Sequence, residues 1–170
     1  MKKYLSSLVC GFGAGVIQIV PVAKSFTCCL IVPAAAVLAI ILDRKANNLS
    51  LTEKIPMQKG LMIGLVAGLF AAFFGSTFEL LITFITKSND IIFSLPELQK
   101  MIGELPLSPE FTKEISDLFY LMADEIKESG FSVIYTVSVL FNNFITSTIF
   151  GLLGGLIGTQ ILNSRISRDV

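Results

Sequence analysis

The sequence predicts an all-α fold: a polytopic membrane helical bundle with four transmembrane helices and a helical extracytoplasmic insert. Three observations predict it. The 170 residues are 53% hydrophobic with a mean hydropathy of +0.76, too apolar for an ordinary soluble domain. Four long apolar runs cover residues 4–22, 26–42, 60–86 and 131–162. Between the last two, residues 87–130 break the pattern with nine acidic and four basic side chains. A chain of this length is expected to form one integral membrane domain.

The run 60–86 organises the rest. Its twenty-seven residues carry one formal charge, Glu79, and as a helix it would reach about 40 Å, enough to cross a hydrocarbon core of about 30 Å with some tilt. Gly60, Gly64, Gly68, Ala71, Ala72, Gly75 and Glu79 fall on one side; Met62, Val66, Leu69, Phe70 and Phe73 fall on the other. The first run follows Lys2 and Lys3 and has Gln18 as its one strongly polar side chain, with Gly11, Gly13 and Gly15 open to close packing. A signal peptide cleaved near Val20-Pro21-Val22-Ala23 is the weaker alternative to a retained span. The second run follows Lys24 and ends at Asp43-Arg44-Lys45; Pro33, which cannot donate to the carbonyl of Cys29, predicts a bend.

In the acidic segment, Ser94-Leu95-Pro96-Glu97 has the form of a helix cap. Ser108-Pro109 opens a second helix over residues 109–129, with Phe111, Ile115, Leu118, Phe119, Met122 and Ile126 on one face. That face is expected to lie on the membrane or dock on a protein partner. The last run carries Asn142, Asn143, Thr146, Ser147 and Thr148, then Gly151, Gly154, Gly155 and Gly158.

Lys2, Lys3, Arg44, Lys45, Lys54, Lys59, Arg165 and Arg168 fall on one side of a four-span chain. Lys24, Lys87, Lys100, Lys113 and Lys127 fall on the other, which predicts cytoplasmic termini in an inner (plasma) membrane. Balanced charge, thirteen basic against thirteen acidic residues, advertises no nucleic-acid surface. The chain has no histidine, and its three cysteines, Cys10, Cys28 and Cys29, make a poor metal set. No motif for a cofactor, a phosphate-binding loop or a catalytic nucleophile is present, so no enzyme is expected.

What remains is one polar set: Glu79, Gln18, Lys24, Asn142 and Asn143, all at outer depth. It reads either as hydrogen bonding that fixes helix register or as an outward-facing pocket for an ion or proton. The third and fourth runs are expected to pack antiparallel through their small residues. Gly60 would then lie level with Gly158, Gly64 level with Gly154, and Glu79 would bond Asn143 or Asn142. Gly68, Gly75 and Gly151 complete these glycine-zipper ladders, which also permit a homo-oligomer. The expected function is a non-enzymatic accessory or structural component of a membrane assembly; a small ion- or proton-linked transporter is the alternative.

The loop Leu49-Ser50-Leu51-Thr52-Glu53 leading into Gly60-Leu61-Met62-Ile63-Gly64 carries a resemblance, with Pro109-Glu110-Phe111 and Gly151-Leu152-Leu153-Gly154-Gly155 before a basic tail. In these the chain resembles the bacterial four-span family of unknown function DUF4199. The resemblance implies a bacterial inner membrane and no known activity.

Overall fold

The computed structural model describes residues 4–24, 26–47, 53–104, 106 and 108–166, with the side chains of 21, 22, 28 and 166 left aside. Its regular secondary structure is entirely helical, with no strand among the described residues. Helices α1 (Leu5–Ile17), α2 (Pro21–Lys24), α3 (Val32–Ala46), α4 (Met57–Thr86), α5 (Asp90–Glu104), α6 (Pro109–Ser129) and α7 (Val133–Ile166) follow in order, and a π-helical turn, Thr27–Ile31, leads into α3. Two of them, α4 and α7, are long and apolar enough to cross a membrane. The chain packs as two compact units, residues 1–78 with 140–170, and residues 79–139.

The first unit is a ring of four helices. On one side of α4, a Cβ built at Gly64 would lie 2.8 Å from Gly155 Cα, and one built at Gly151 would lie 2.9 Å from Gly68 Cα. Gly60 likewise meets Thr159, and Gly68 meets the carbonyl of Ser147. The two backbones therefore touch, antiparallel, through residues spaced by four. On its other side α4 meets α1: a Cβ at Gly11 would be 2.6 Å from Phe70 Cβ, and one at Gly15 would be 2.8 Å from Phe74 Cβ. Helix α3 closes the ring by packing on α1 and on α7. Gly154 faces Pro33 and Ala36, and Gly158 faces Val37 and Ile40. The expected register is corrected here, because Gly154 and Gly158 face α3 while Gly151 and Gly155 face α4. The core inside the ring is small-chain and aliphatic: Ala14, Val32, Ala35, Ala39, Ile40, Ile63, Ala67 and Ala71. Cys10 packs against both halves of it as a half-buried apolar residue.

Several boundaries shift for physical reasons. Helix α1 ends at Ile17, five residues before the predicted end of its run, and the chain turns on hydrogen bonds from Ile19 N to Val16 O and from Val20 N to Ile17 O. The bend expected at Pro33 is taken up one turn earlier. Val32 N donates to Thr27 O, an i to i−5 bond, and Pro33 then sits in the first turn of α3, where its missing N–H costs least. Helix α3 runs on through Asp43 and Arg44, both buried, because a run of charges marks where an apolar surface ends and not where a helix must. Helix α5 begins at Asp90, capped by Asn89 Oδ1, which accepts from Ile92 N at 3.0 Å. The predicted cap at Ser94 therefore lies inside the helix, and so does Pro96.

In the second unit, α6 begins on Ser108, whose side chain accepts from Phe111 N, and ends on Gly130. Gly130 has φ +79°, a left-handed conformation, and a Cβ there would lie 2.6 Å from Phe84 O. Lys87 closes the same corner by donating from Nζ to Glu128 O at 2.8 Å. The core joins Met122 and Ile126 to Tyr135 and Val139, with Leu80, Ile91, Ile92 and Phe119 against them. The apolar face of α6 is thus largely spent on its own chain, with Phe111 and Leu118 left exposed.

Gly68→Leu should destabilise the protein by at least about 1–3 kcal/mol in detergent unfolding, because the new side chain has backbone to displace. Leu69→Ala, on a side chain 38% exposed, should cost less than about 1 kcal/mol. Equal midpoints for the two variants would refute the contact.

Candidate functional site

Two polar stations are built on α4 and α7, one in each unit. In the first unit, Gln18 caps the end of α1 and is 8% exposed. Its Oε1 lies against Gly75, where any Cβ would collide with it, so the glycine there is what admits the amide. Gln18 Nε2 is buried and has no hydrogen-bond partner among the described residues. One residue on, the fully buried Ser76 accepts a hydrogen bond on Oγ from Asn143 Nδ2 at 3.1 Å. Asn142, its neighbour, is exposed, and Lys24 at the end of α2 is half-buried.

In the second unit, Glu79 is half-buried and its Oε1 accepts from the Tyr135 hydroxyl at 3.2 Å. The tyrosine oxygen also lies 3.5 Å from Thr83 Oγ1. Tyr135 is 4% exposed and Thr83 3%, so the phenol is held on its carboxylate by the apolar core around its ring. Carboxylate, phenol and hydroxyl in sequence can share or hold a proton, since each accepts and, when protonated, donates. Ser76, Thr83 and Tyr135 are partners that residue type alone does not single out. Their signal is spacing: Ser76 continues the four-residue ladder of Gly60, Gly64, Gly68 and Ala72.

A third cluster, at the opposite end of the first unit, is absent from the sequence expectations. The buried Asp43 carboxylate pairs with Lys59 Nζ at 2.7 Å and accepts from Asn47 Nδ2 at 3.1 Å. Arg44 Nη2 donates to Glu53 O at 3.2 Å. Asn163 brackets Ile55 as a second peptide strand would, accepting from Ile55 N at 2.9 Å and donating to Ile55 O at 2.9 Å. Beside these groups lies a cavity of about 310 Å³. Among the described residues no group of three His, Cys, Asp or Glu could hold a metal ion.

No protein-family model, curated protein or solved structure matches the chain.

Tyr135→Phe keeps the ring and removes the donor to Glu79, so it should lower stability by about 1–3 kcal/mol. An unchanged unfolding midpoint would show that the bond contributes nothing. Asn163→Ala strips both bonds from Ile55 and should cost about as much, against a near-neutral Ser164→Ala at the exposed neighbouring position.

Proposed function

We propose that the chain is an integral membrane protein whose four apolar segments enter the bilayer with both termini cytoplasmic, and that it serves as a non-catalytic accessory or structural component of a membrane assembly. One observation carries the membrane reading: the first unit is packed inside out. On α7, Ile145, Ile149, Leu153, Ile157 and Ile161 are each 44–49% exposed, while Ser147, Gly151, Gly155 and Thr159 are buried. Val9, Phe12 and Val16 on α1 and Met62, Leu69 and Phe73 on α4 continue the apolar exterior. In water so large an apolar surface would associate; in lipid it is the solvated side, and close packing of small residues supplies the cohesion.

Helix α1, at 13 residues, is about 20 Å long, short of a full crossing. Its terminal turn nonetheless suits the outer part of a bilayer, because Gln18 N, Ile19 N, Val20 N and Lys24 N all donate within the chain. The basic residues Arg44, Lys45, Lys54, Lys59 and Arg165 favour a cytoplasmic side for the opposite end. The acidic helices α5 and α6 are then extracytoplasmic, with Phe111, Leu118, Tyr120 and Leu121 exposed for a protein partner. Kinship with the bacterial four-span family of unknown function belongs to the same proposal. The Glu79, Tyr135 and Thr83 cluster favours a second reading, a proton-linked transporter.

A cysteine at Lys113, in a background with Cys10, Cys28 and Cys29 replaced, should react with an impermeant thiol reagent in intact cells. Labelling only after lysis would invert the topology. In proteoliposomes an accessory protein carries no proton flux in either the parent or Glu79→Gln; flux that Glu79→Gln abolishes would decide for the transporter.

A further inference from the structure

The cavity of about 310 Å³ beside Lys59 has two chemically distinct walls, lined among the described residues by Tyr4, Asp43, Gln58, Lys59, Met62 and Ile63. The polar wall is fixed from behind. Asp43, with a side chain 6% exposed, spends Oδ2 on Lys59 and Oδ1 on Asn47. An ammonium carries three donors, so the carboxylate holds Lys59 in place while leaving donors for the opening, where its side chain is 38% exposed. Gln58, exposed beside it, brings an amide. The apolar wall is Met62, 50% exposed, with Ile63.

Lys59 directly precedes the apolar run of α4, so the polar wall stands at head-group level and the apolar wall about one turn deeper. Along residues 43–59, the segment that supplies the polar wall, Arg44, Lys45, Lys54 and Lys59 outnumber Asp43 and Glu53, which disfavours a cationic amphiphile. The first turn of α4 holds no acidic residue and adds the positive end of its dipole. The volume is at the small end for a ligand pocket. It suits a head group and the first methylenes of a chain whose remainder stays in the bilayer.

We propose that this cavity binds an anionic phospholipid of the cytoplasmic leaflet, with Lys59 and Gln58 donating to phosphate oxygens and the start of an acyl chain lying on Met62. The proposal rests on the membrane reading above. The purified full chain in detergent, titrated with phosphatidylglycerol or phosphatidylcholine and followed by native mass spectrometry, should retain phosphatidylglycerol about five-fold better. Met62→Trp, which fills the cavity, should remove that preference without lowering the thermal midpoint, and Lys59→Arg should keep it. Should Met62→Trp fold poorly, Gln58→Glu, at an exposed position, should remove the preference instead.

Equal retention of the two lipids, or a preference that survives both Met62→Trp and Gln58→Glu, overturns the proposal. Displacement of the lipid by inorganic phosphate at matched concentration overturns it too, in favour of a free-phosphate site. Carbonate extraction of native membranes separates the two readings. A chain released by carbonate refutes the membrane reading itself; a carbonate-resistant chain without lipid preference refutes only this site.

Discussion

The contact between α4 and α7 is made by backbone on backbone, and the first unit depends on it. Gly64 and Gly68 lie against Gly151 and Gly155 so closely that a Cβ on any of the four would have to displace main-chain atoms. Such an approach brings many weak dispersion contacts and excludes larger residues at four-residue intervals. It also dictates what the remaining faces can do. The residues of α4 that meet α1, from Ala67 to Gly75, sit about 60° around the helix from those that meet α7. Helix α4 therefore meets a neighbour closely on two faces, and α7 likewise turns Gly154 and Gly158 toward α3.

Much of this was legible because close helix packing writes itself in residue size. The ladder Gly60, Gly64, Gly68 and the pair Ser147 and Gly151 can be read directly from spacing, whereas Gly154 and Gly158 stand in the expected stripe where Gly155 and Thr159 make the contact. The opening cap of α6, Ser108 and Pro109, is as plain, since each has a backbone reason to stand where it does. What size cannot encode is the partner. Gly154 looks equivalent to Gly151 in the sequence, yet it makes room for Pro33, and only the path of α3 decides that. Helix ends fail for a related reason: Asp43 and Arg44 look like a terminus by charge, but Lys59 and Glu53 O from the next segment pair with them and let α3 continue.

The polar stations were half legible. Glu79 and Asn143 stand out in any apolar run because ionic and amide groups are expensive in lipid. Hydroxyls do not stand out, because a helical serine or threonine commonly bonds the carbonyl four residues back. Thr77, Thr86, Thr136 and Ser138 do that here. Ser76 and Thr83 are of the same residue types and instead engage Asn143 and Tyr135 across the helix pair. Residue type cannot separate the two behaviours; helix face can, once the partner helix is known. Tyr135 is concealed in the same way, its hydroxyl being the one polar atom of a side chain otherwise claimed by the apolar core.

The turn from Thr27 to Ile31 holds one residue more than the α-helical turn it replaces. Its extra residue rotates everything after it by about 100° relative to a continuous α-helix, and that rotation is what directs Ala35, Ala36, Ala39 and Ile40 inward. A single-residue deletion within the turn, with the α-helical turn restored, would leave those four alanine and isoleucine positions on the same face. The same deletion a few residues later, inside α3, would swing the helix's apolar exterior into the ring. The chain's tolerance of a change in length is therefore concentrated in these five residues, and the rest of α3 is held to its present count.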